Sequence, residues 1–252
     1  MTARRPRAFA ELTSEELRAL VAKEKPLAAL LPVGSVEPHG PHLSLATDIA
    51  ISEAACARAA SRLEDAGIAA AIAPAIPYGV TECASRFPGA ISIPEDALIA
   101  YLGAVIDGLL GQGVRLVCAV NNHLEPGHDR AVRAAVGARE RAIIASPLDR
   151  RWARTLSEEF RRGACHAGRY ETSIALAWDE RLVRDDIRRG LPAIDVSLSE
   201  RLAEGVSDFV DMGLSRAYAG APAEATAKEG DELLDRLATM IVTEVRKAIE
   251  RS

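Results

Sequence analysis

The sequence has few cysteines, few aromatic residues and no long apolar run. Its 4 cysteines form no CxxC pair and have no regular spacing, so neither a thiolate zinc site nor a disulfide framework is expected. Only 4% of the residues are aromatic, so the core must be aliphatic. The basic segment at residues 1–12 has no apolar signal core, and no apolar run is long enough to span a membrane. These absences predict a cytoplasmic, soluble protein with reduced thiols and no membrane association.

A surplus of positive charge is absent as well. The formal net charge is -5 at pH 7, and the sequence pI is about 5.7. Proteins that bind nucleic acids depend on clustered Lys and Arg side chains that neutralise phosphates. A nucleic-acid partner is therefore not expected, and a small-molecule substrate is the partner class that the composition favours.

The length and the order of the predicted elements indicate one α/β domain. A chain of 252 residues can bury a substantial core, and no linker divides it. Four apolar runs predict strands, at 28–33, 68–76, 114–120 and 142–146. Four helical patterns follow them, at 47–67, 94–113, 128–142 and 225–250. This alternation predicts a mostly parallel central sheet covered on both faces, a three-layer α/β/α fold spanning residues 1–252.

Three further segments have their own signals. Thr13 and Glu16 have the spacing of a capping box, which predicts a short helix before the first strand. Residues 77–93 are rich in Pro and Gly and predict a long loop, a feature that is usually functional or disordered. Residues 186–222 have no clear periodicity, so only irregular structure and short helices are expected there.

Four of the five histidines lie in two loops that follow predicted strands, together with three carboxylates. The residues concerned are Glu37, His39, His42 and Asp48 in the first loop, and His123, Glu125 and His128 in the second. In parallel sheets, ligands bind beyond the carboxyl ends of the strands, where both loops begin. Imidazole and carboxylate together favour Zn, Mn, Fe or Co, whereas an all-oxygen site would favour Mg or Ca.

Two matched pairs and one shared carboxylate predict a two-metal hydrolytic site. Glu37 and His39 are two residues apart, and His123 and Glu125 repeat that spacing. A lone histidine is more often a buried residue satisfied by the backbone, and Asp48 alone could be an ordinary residue of a helix N-terminus. With Asp48 as the bridge, one ion is predicted to bind Glu37, Asp48 and His123. The other is predicted to bind His39, Asp48 and Glu125, and a hydroxide bridging the ions is the predicted nucleophile.

The fifth histidine, His166, opens a third polar loop that also carries Glu171. His166 is a candidate general acid or base that carries a proton from water to a leaving nitrogen. Glu171 has three interpretations: it orients His166, binds a metal ion, or caps the following helix. His42 and His128 either orient a ligand or have a structural role.

At these same residues the chain resembles the creatininase family of metal-dependent amidohydrolases. The resemblance is carried by GSVEPHGPHLSLATD, NNHLEPGH and HAGRYETS, backed by YGVTECASRFPGAIS, and it spans roughly residues 28–180. It implies a three-layer α/β fold, a binuclear Zn or Mn centre, often a hexameric assembly, and hydrolysis of C–N bonds in cyclic or linear amides. The site residues that it implies are Glu37, His39, Asp48, His123 and Glu125 as metal ligands, His166 as the catalytic histidine and Glu171 as the acid of the third motif.

Departures from the family pattern bear on the substrate. Many members, including those similar to mycofactocin-system peptidases and formamide deformylases, have NGHGGN where this chain has NNHLEP, and Glu125 is closer to creatininase itself. Creatininase, however, has an aromatic residue at the position of Leu124 and a Trp-Asp pair in the loop before its catalytic histidine. Here that loop reads RRGACH, so creatinine is not the expected substrate. Arg161 and Arg162 in this loop favour an anionic substrate or form a solvated helix end.

The leading hypothesis is a metal-dependent amidohydrolase that cleaves a lactam, a formamide-like group or a small peptide amide. It would hold two divalent ions per subunit, with zinc expected first and manganese or iron as alternatives. A hydrolase of cyclic ketones or lactones is the second enzyme hypothesis, because the same centre can attack other carbonyls. A metal-binding protein without turnover is the non-enzyme alternative. The resemblance also favours a homo-oligomer, for which a hexamer is the precedent.

Overall fold

The computed structural model describes residues 6–251. Residues 1–5, which begin the basic segment considered above, lie outside the described residues, as does residue 252. A parallel sheet of four strands forms the centre, in the order β2-β1-β3-β4. The strands are β1 (Leu27–Val33), β2 (Ala69–Ile72), β3 (Leu116–Asn121) and β4 (Ala142–Ala145).

Ten α-helices surround the sheet within the described part of the chain. They are α1 (Ser14–Val21), α2 (Thr47–Asp65), α3 (Glu95–Gly111), α4 (Pro126–Gly137), α5 (Arg150–Ala153), α6 (Glu158–Arg161), α7 (Arg169–Trp178), α8 (Asp185–Arg188), α9 (Leu198–Ala203) and α10 (Ala227–Arg251). Short 3-10 helices lie at Phe9–Glu11, Glu180–Leu182 and Pro222–Glu224. Within residues 6–251, no helix combines the length and apolar character needed to cross a membrane.

The two faces of the sheet pack against different sets of helices. Successive side chains of a strand point to opposite faces. Ala28 and Leu30 of β1 therefore pack into a core with α2, α7 and α10, while Ala29 and Leu31 pack into a second core with α3 and α4. Both cores are almost wholly aliphatic, as the composition requires. The predicted α/β fold with a parallel sheet between helical layers is confirmed.

Strand register brings the two histidine-rich loops side by side. Val33, at the end of β1, pairs with Asn121, at the end of β3, so the following loops leave the sheet at the same edge. Gly34 then lets the start of α2 approach the end of β1, because a Cβ at this position would lie 2.8 Å from the backbone nitrogen of Ile49. The first turn of α2, which contains Asp48, is thereby held at the edge where the loops meet.

A second close approach fixes the helix that carries Glu171. A Cβ at Gly230 of α10 would lie 1.8 Å from the carbonyl oxygen of Ser173 in α7, so only glycine allows the two helices to pack this closely. Replacing Gly230 with alanine would push the helices apart or distort one of them. The position of Glu171 in the first turn of α7 therefore depends on this contact.

Local predictions agree with the structure except at element boundaries. Thr13 and Glu16 form both hydrogen bonds of a capping box at the start of α1, as predicted. The strand predicted at 68–76 ends at residue 72, because Pro74 has no amide hydrogen for the ladder. Residues 77–93 contain no helix or strand element, which confirms the predicted loop, and 186–222 holds short helices separated by irregular backbone.

Candidate metal centre

Three carboxylates and three imidazoles meet in a buried cluster at the carboxyl edge of the sheet. Each of the six side chains is at most 6% exposed. The members of this cluster, called the floor below, are Glu37, His39, Asp48, His123, His166 and Glu171. Their ligand atoms form three overlapping groups, each compact enough to hold a metal ion.

The first group consists of Glu37, Asp48 and His123, as the sequence predicted. His123 donates its Nε2 hydrogen to the carbonyl oxygen of Val80 at 2.7 Å. In the neutral ring Nδ1 is then a bare acceptor, yet it lies 2.9 Å from Asp48 Oδ2 and 3.2 Å from Glu37 Oε1. Asp48 Oδ2 is buried and has no hydrogen-bond partner among the described residues. Acceptors facing one another in this way fit a shared cation.

The second group consists of His39, Asp48 and Glu171. His39 Nδ1 donates to the carbonyl oxygen of Glu37 at 3.1 Å, which leaves Nε2 as the acceptor of the neutral ring. This Nε2 atom lies 3.1 Å from Asp48 Oδ1 and 3.6 Å from Glu171 Oε2. Asp48 thus offers one oxygen to each group, which is the geometry of a bridging carboxylate.

The pKa values of Glu37 and His39 reflect positive charge held among the floor carboxylates. Burial opposes ionisation of Glu37, but the neighbouring His123 lowers the pKa of this carboxyl to about 2. Burial likewise opposes protonation of His39, but Asp48 raises the pKa of this imidazole to about 10. Burial raises the pKa of Glu171 to about 8, so in the protein alone its charge is incompletely compensated. In the protein alone, protons therefore lie between the floor side chains at positions where divalent cations would also fit.

Glu125 is not where the predicted second group requires it. Its carboxylate accepts hydrogen bonds from the backbone N–H groups of Glu82 at 2.9 Å and Cys83 at 3.1 Å. It lines the same pocket but belongs to none of the compact groups among the described residues. Glu171 lies beside His39 and Asp48 instead. The reason is that β3 ends at Asn121 and α4 begins at Pro126, which directs Glu125 toward the 77–93 loop. Its role as a ligand stays a prediction.

His166 belongs to the third compact group, with Glu37 and His39, and has one ring nitrogen free to act. Its Nε2 donates to the carbonyl oxygen of Pro38 at 2.9 Å, and its Nδ1 lies 3.7 Å from Glu37 Oε1. Burial lowers the pKa of His166 to about 4, so the ring is neutral in the protein alone. The neutral ring has an unprotonated Nδ1 that can accept a proton in the pocket.

Sequence reasoning did not identify Thr81 as part of the site. The Thr81 hydroxyl donates to Glu37 Oε2 at 2.6 Å, and the side chain is fully buried. With the carbonyl of Val80 and the amides of residues 82 and 83, one short stretch of the 77–93 loop contacts Glu37, His123 and Glu125. The length of this loop was the available signal, because long loops in compact domains are often functional.

The remaining histidines and the predicted arginines lie outside the floor. His42 Nε2 is 3.0 Å from the hydroxyl of Thr172, on α7, and His128 packs edge-on against His123 with ring centroids 4.6 Å apart. Arg161 lines a different cavity, and Arg162 forms an exposed ion pair with Glu158. Of the two interpretations of these arginines, the solvated helix end is the arrangement found.

The family model and the similar proteins point to the same family. The family model described as creatininase, creatinine amidohydrolase, matches residues 10–245. A mycofactocin precursor peptide peptidase from Mycobacterium tuberculosis (strain CDC 1551 / Oshkosh) is 36% identical over 208 residues, covering 80% of this chain and 77% of that protein. A creatinine amidohydrolase from Pseudomonas putida is 32% identical over 120 residues, covering 46% of this chain and 44% of that protein.

Solved structures share the fold. A crystal structure of creatinine amidohydrolase (creatininase) has a TM-score of 0.75 at 22% identity and covers 95% of this chain and 96% of that chain. A structure named "Creatininase Mn" has a TM-score of 0.71 at 24% identity and covers 96% of this chain and 98% of that chain. At this identity the likeness establishes the α/β architecture.

Proposed function

The chain belongs to the creatininase family, whose members are amidohydrolases that act on carbon–nitrogen bonds, and we propose that it is a two-metal enzyme hydrolysing an uncyclised or cyclic amide. The substrate classes are a small peptide amide, a formamide-like group or a lactam. The peptide amide is favoured, because the peptidase relative aligns with 80% of the chain and the creatinine amidohydrolase with 46%.

One observation carries this proposal. His39, His123 and His166 each donate one ring N–H to a backbone carbonyl and turn the other ring nitrogen toward buried carboxylates. Partners of this kind select the tautomer and orient a histidine for metal binding or proton transfer. The free nitrogen faces three carboxylates at His39, two at His123 and one at His166. Histidines that served only to fill the core would not need these carboxylates, since each buried charge is costly.

The donor set fits two divalent cations that share Asp48. Glu37, Asp48 and His123 would hold one, and His39, Asp48 and Glu171 the other. Imidazole with carboxylate suits zinc, with manganese or iron as alternatives. When bound, such ions polarise a carbonyl oxygen and lower the pKa of water toward neutrality.

Proton transfer is assigned to residues of the protein itself. His166 accepts a proton at Nδ1, because Nε2 is engaged with the carbonyl of Pro38. The protonated ring can return that proton to the leaving nitrogen, as a general base that becomes a general acid. Glu125 lines the same pocket, and the two backbone amides that bind it hold its carboxylate in place for proton transfer.

The setting of the reaction is also a proposal. A small-molecule or short peptide substrate, a homo-oligomeric assembly and a cytoplasmic location agree with the composition and with the family. A nucleic-acid partner does not agree with the net charge of -5.

Metal stripping and an amide panel test the proposed function. Purified protein would be chelated, reloaded separately with zinc, manganese or iron, and assayed with a dipeptide amide, N-methylformamide, 2-pyrrolidone and γ-butyrolactone. We expect release of amine from at least one amide, loss of this activity on chelation and recovery on reloading. Metal-loaded protein that hydrolyses only the lactone, or none of the four, would contradict the proposal.

A further inference from the structure

The pocket above the floor has an apolar wall of its own. This wall, as the term is used below, consists of Leu124, Pro126, Leu202 and Phe209. The ring of Phe209 lies against His166, with centroids 4.4 Å apart and an interplanar angle of 37°. The cavity has a volume of about 50 Å³. A substrate group placed next to His166 in so small a space must contact Phe209.

Phe209 is a fixed part of this wall. Its backbone N–H donates to the carbonyl oxygen of Cys83 at 2.9 Å, and its side chain is 6% exposed. It packs in one apolar cluster with Ala164, Met212 and Leu214. The ring is therefore held by the backbone and by its neighbours in the position where it covers His166.

Within residues 6–251, the pocket has no lysine or arginine side chain to bind an anionic group. Among the described residues that line it, none is Lys or Arg. Arg86, which reaches the same loop as Phe209, is bound by Asp208 at 2.7 Å and by Asp211. An anionic substrate group against the wall would lose its water, face the lining carboxylates and find no lysine or arginine among the described lining residues, which is unfavourable.

We infer that Phe209 is a specificity-determining residue, and that it selects amides with an apolar group beside the scissile bond over amides with an anionic group there. The inference rests on the proposed amide hydrolysis and names the substrate class for that same site. Contact with the ring removes apolar substrate surface from water, which favours binding of such groups. The same contact disfavours anionic groups of similar size.

A pair of substrates and a matched pair of variants test this inference. Wild type, Phe209→Ala and Val210→Ala would be compared by ammonia release from phenylacetamide and from succinamate. Val210 is the exposed neighbour of Phe209 and does not line the pocket. We expect wild type and Val210→Ala to prefer phenylacetamide by at least about tenfold in kcat/KM, and Phe209→Ala to lose most of this preference. An unchanged preference in Phe209→Ala would overturn the inference. Phe209→Leu takes its place if the alanine variant does not fold.

A second measurement does not depend on turnover. The chain has 4 phenylalanines, so incorporation of 4-fluorophenylalanine gives few ¹⁹F resonances, and that of Phe209 is assigned by its absence in Phe209→Leu. We expect phenylacetamide to shift the Phe209 resonance and succinamate to leave it in place. A shift with both compounds, or with neither, overturns the inference. If wild type hydrolyses no amide, the proposed function fails, and the ¹⁹F titration still decides the role of Phe209.

Discussion

The floor and the wall of the pocket are built in different ways. The floor residues lie in or just after loops at the edge of the sheet, and its three histidines are oriented by backbone carbonyls. The wall residues Leu202 and Phe209 come from the 186–222 segment and are held mainly by apolar packing. The comparison teaches that the floor sets the chemistry and the wall sets which amide is accepted. Substitutions in the floor should therefore remove metal or turnover, whereas substitutions in the wall should change selectivity.

The largest effect is expected at Asp48, which belongs to two of the three groups in the floor. Asp48→Asn removes the charge that both ions would share, so we expect metal content and hydrolysis to fall to background. Elemental analysis of the purified variant measures the metal. Asp65→Asn, the same change at the exposed end of α2, is the matched control and should retain both. Full metal content in Asp48→Asn would show that the floor does not work as a shared site.

Glu171, in the floor, and Glu125, outside it, are expected to have different roles. Glu171→Gln should leave about one ion per chain, because the group with His39 loses a charged ligand while the group with His123 stays intact. Glu125→Gln should keep both ions and lose turnover, since its carboxylate lies outside the compact groups. Metal content and kcat measured on the two variants side by side separate these roles. The opposite pattern would restore the assignment of Glu125 that its spacing from His123 predicted.

Thr81 should have a smaller effect, because it touches a ligand and not the metal. Thr81→Val removes the hydroxyl that binds Glu37 Oε2 and keeps the shape of the side chain. We expect a loss of about 10- to 100-fold in metal affinity, typical for a partner of a metal ligand. Thr81→Ser keeps the hydroxyl and should stay near wild type in a competition titration with a fluorescent chelator. Equal losses in the two variants would point to packing as the cause.

The smallest effect is expected outside both floor and wall. Arg161→Ala and Arg162→Ala should leave kcat/KM for phenylacetamide and succinamate within about twofold of wild type, since exposed substitutions away from a site rarely change free energies by more than about 0.5 kcal/mol. A selective loss with succinamate would instead support the anionic-substrate interpretation of the RRGACH loop.

The fold could be predicted because its strands and helices have strong local patterns. The apolar runs that became β1, β3 and β4 are short and buried, and the helical stretches between them have clear starts, such as Pro94 before α3. The 186–222 segment could not be predicted in detail. Its short helices are stabilised by contacts with distant residues, such as the bond from the Leu198 amide to the carbonyl of Gly163, which no local pattern encodes.

The part of the site that lies at the ends of the strands could be predicted from the sequence. The groups containing Glu37, Asp48 and His123 come from loops whose positions are set by the sheet register. Spacing along the chain did not show that Glu125 lies outside the compact groups of the described residues, because a two-residue interval does not determine which way a side chain points once a helix begins at Pro126. Glu171 is positioned at the floor by the packing of α7 on α10 and α2, contacts between residues far apart in sequence.

The central claim is that the floor seats a pair of cations around Asp48. Anomalous X-ray diffraction from crystals of the zinc-loaded protein, recorded on both sides of the zinc edge, tests it most directly. The account predicts two peaks about 3.5 to 4 Å apart, one between Glu37, Asp48 and His123 and one between His39, Asp48 and Glu171. A single peak, or peaks away from Asp48, would contradict it.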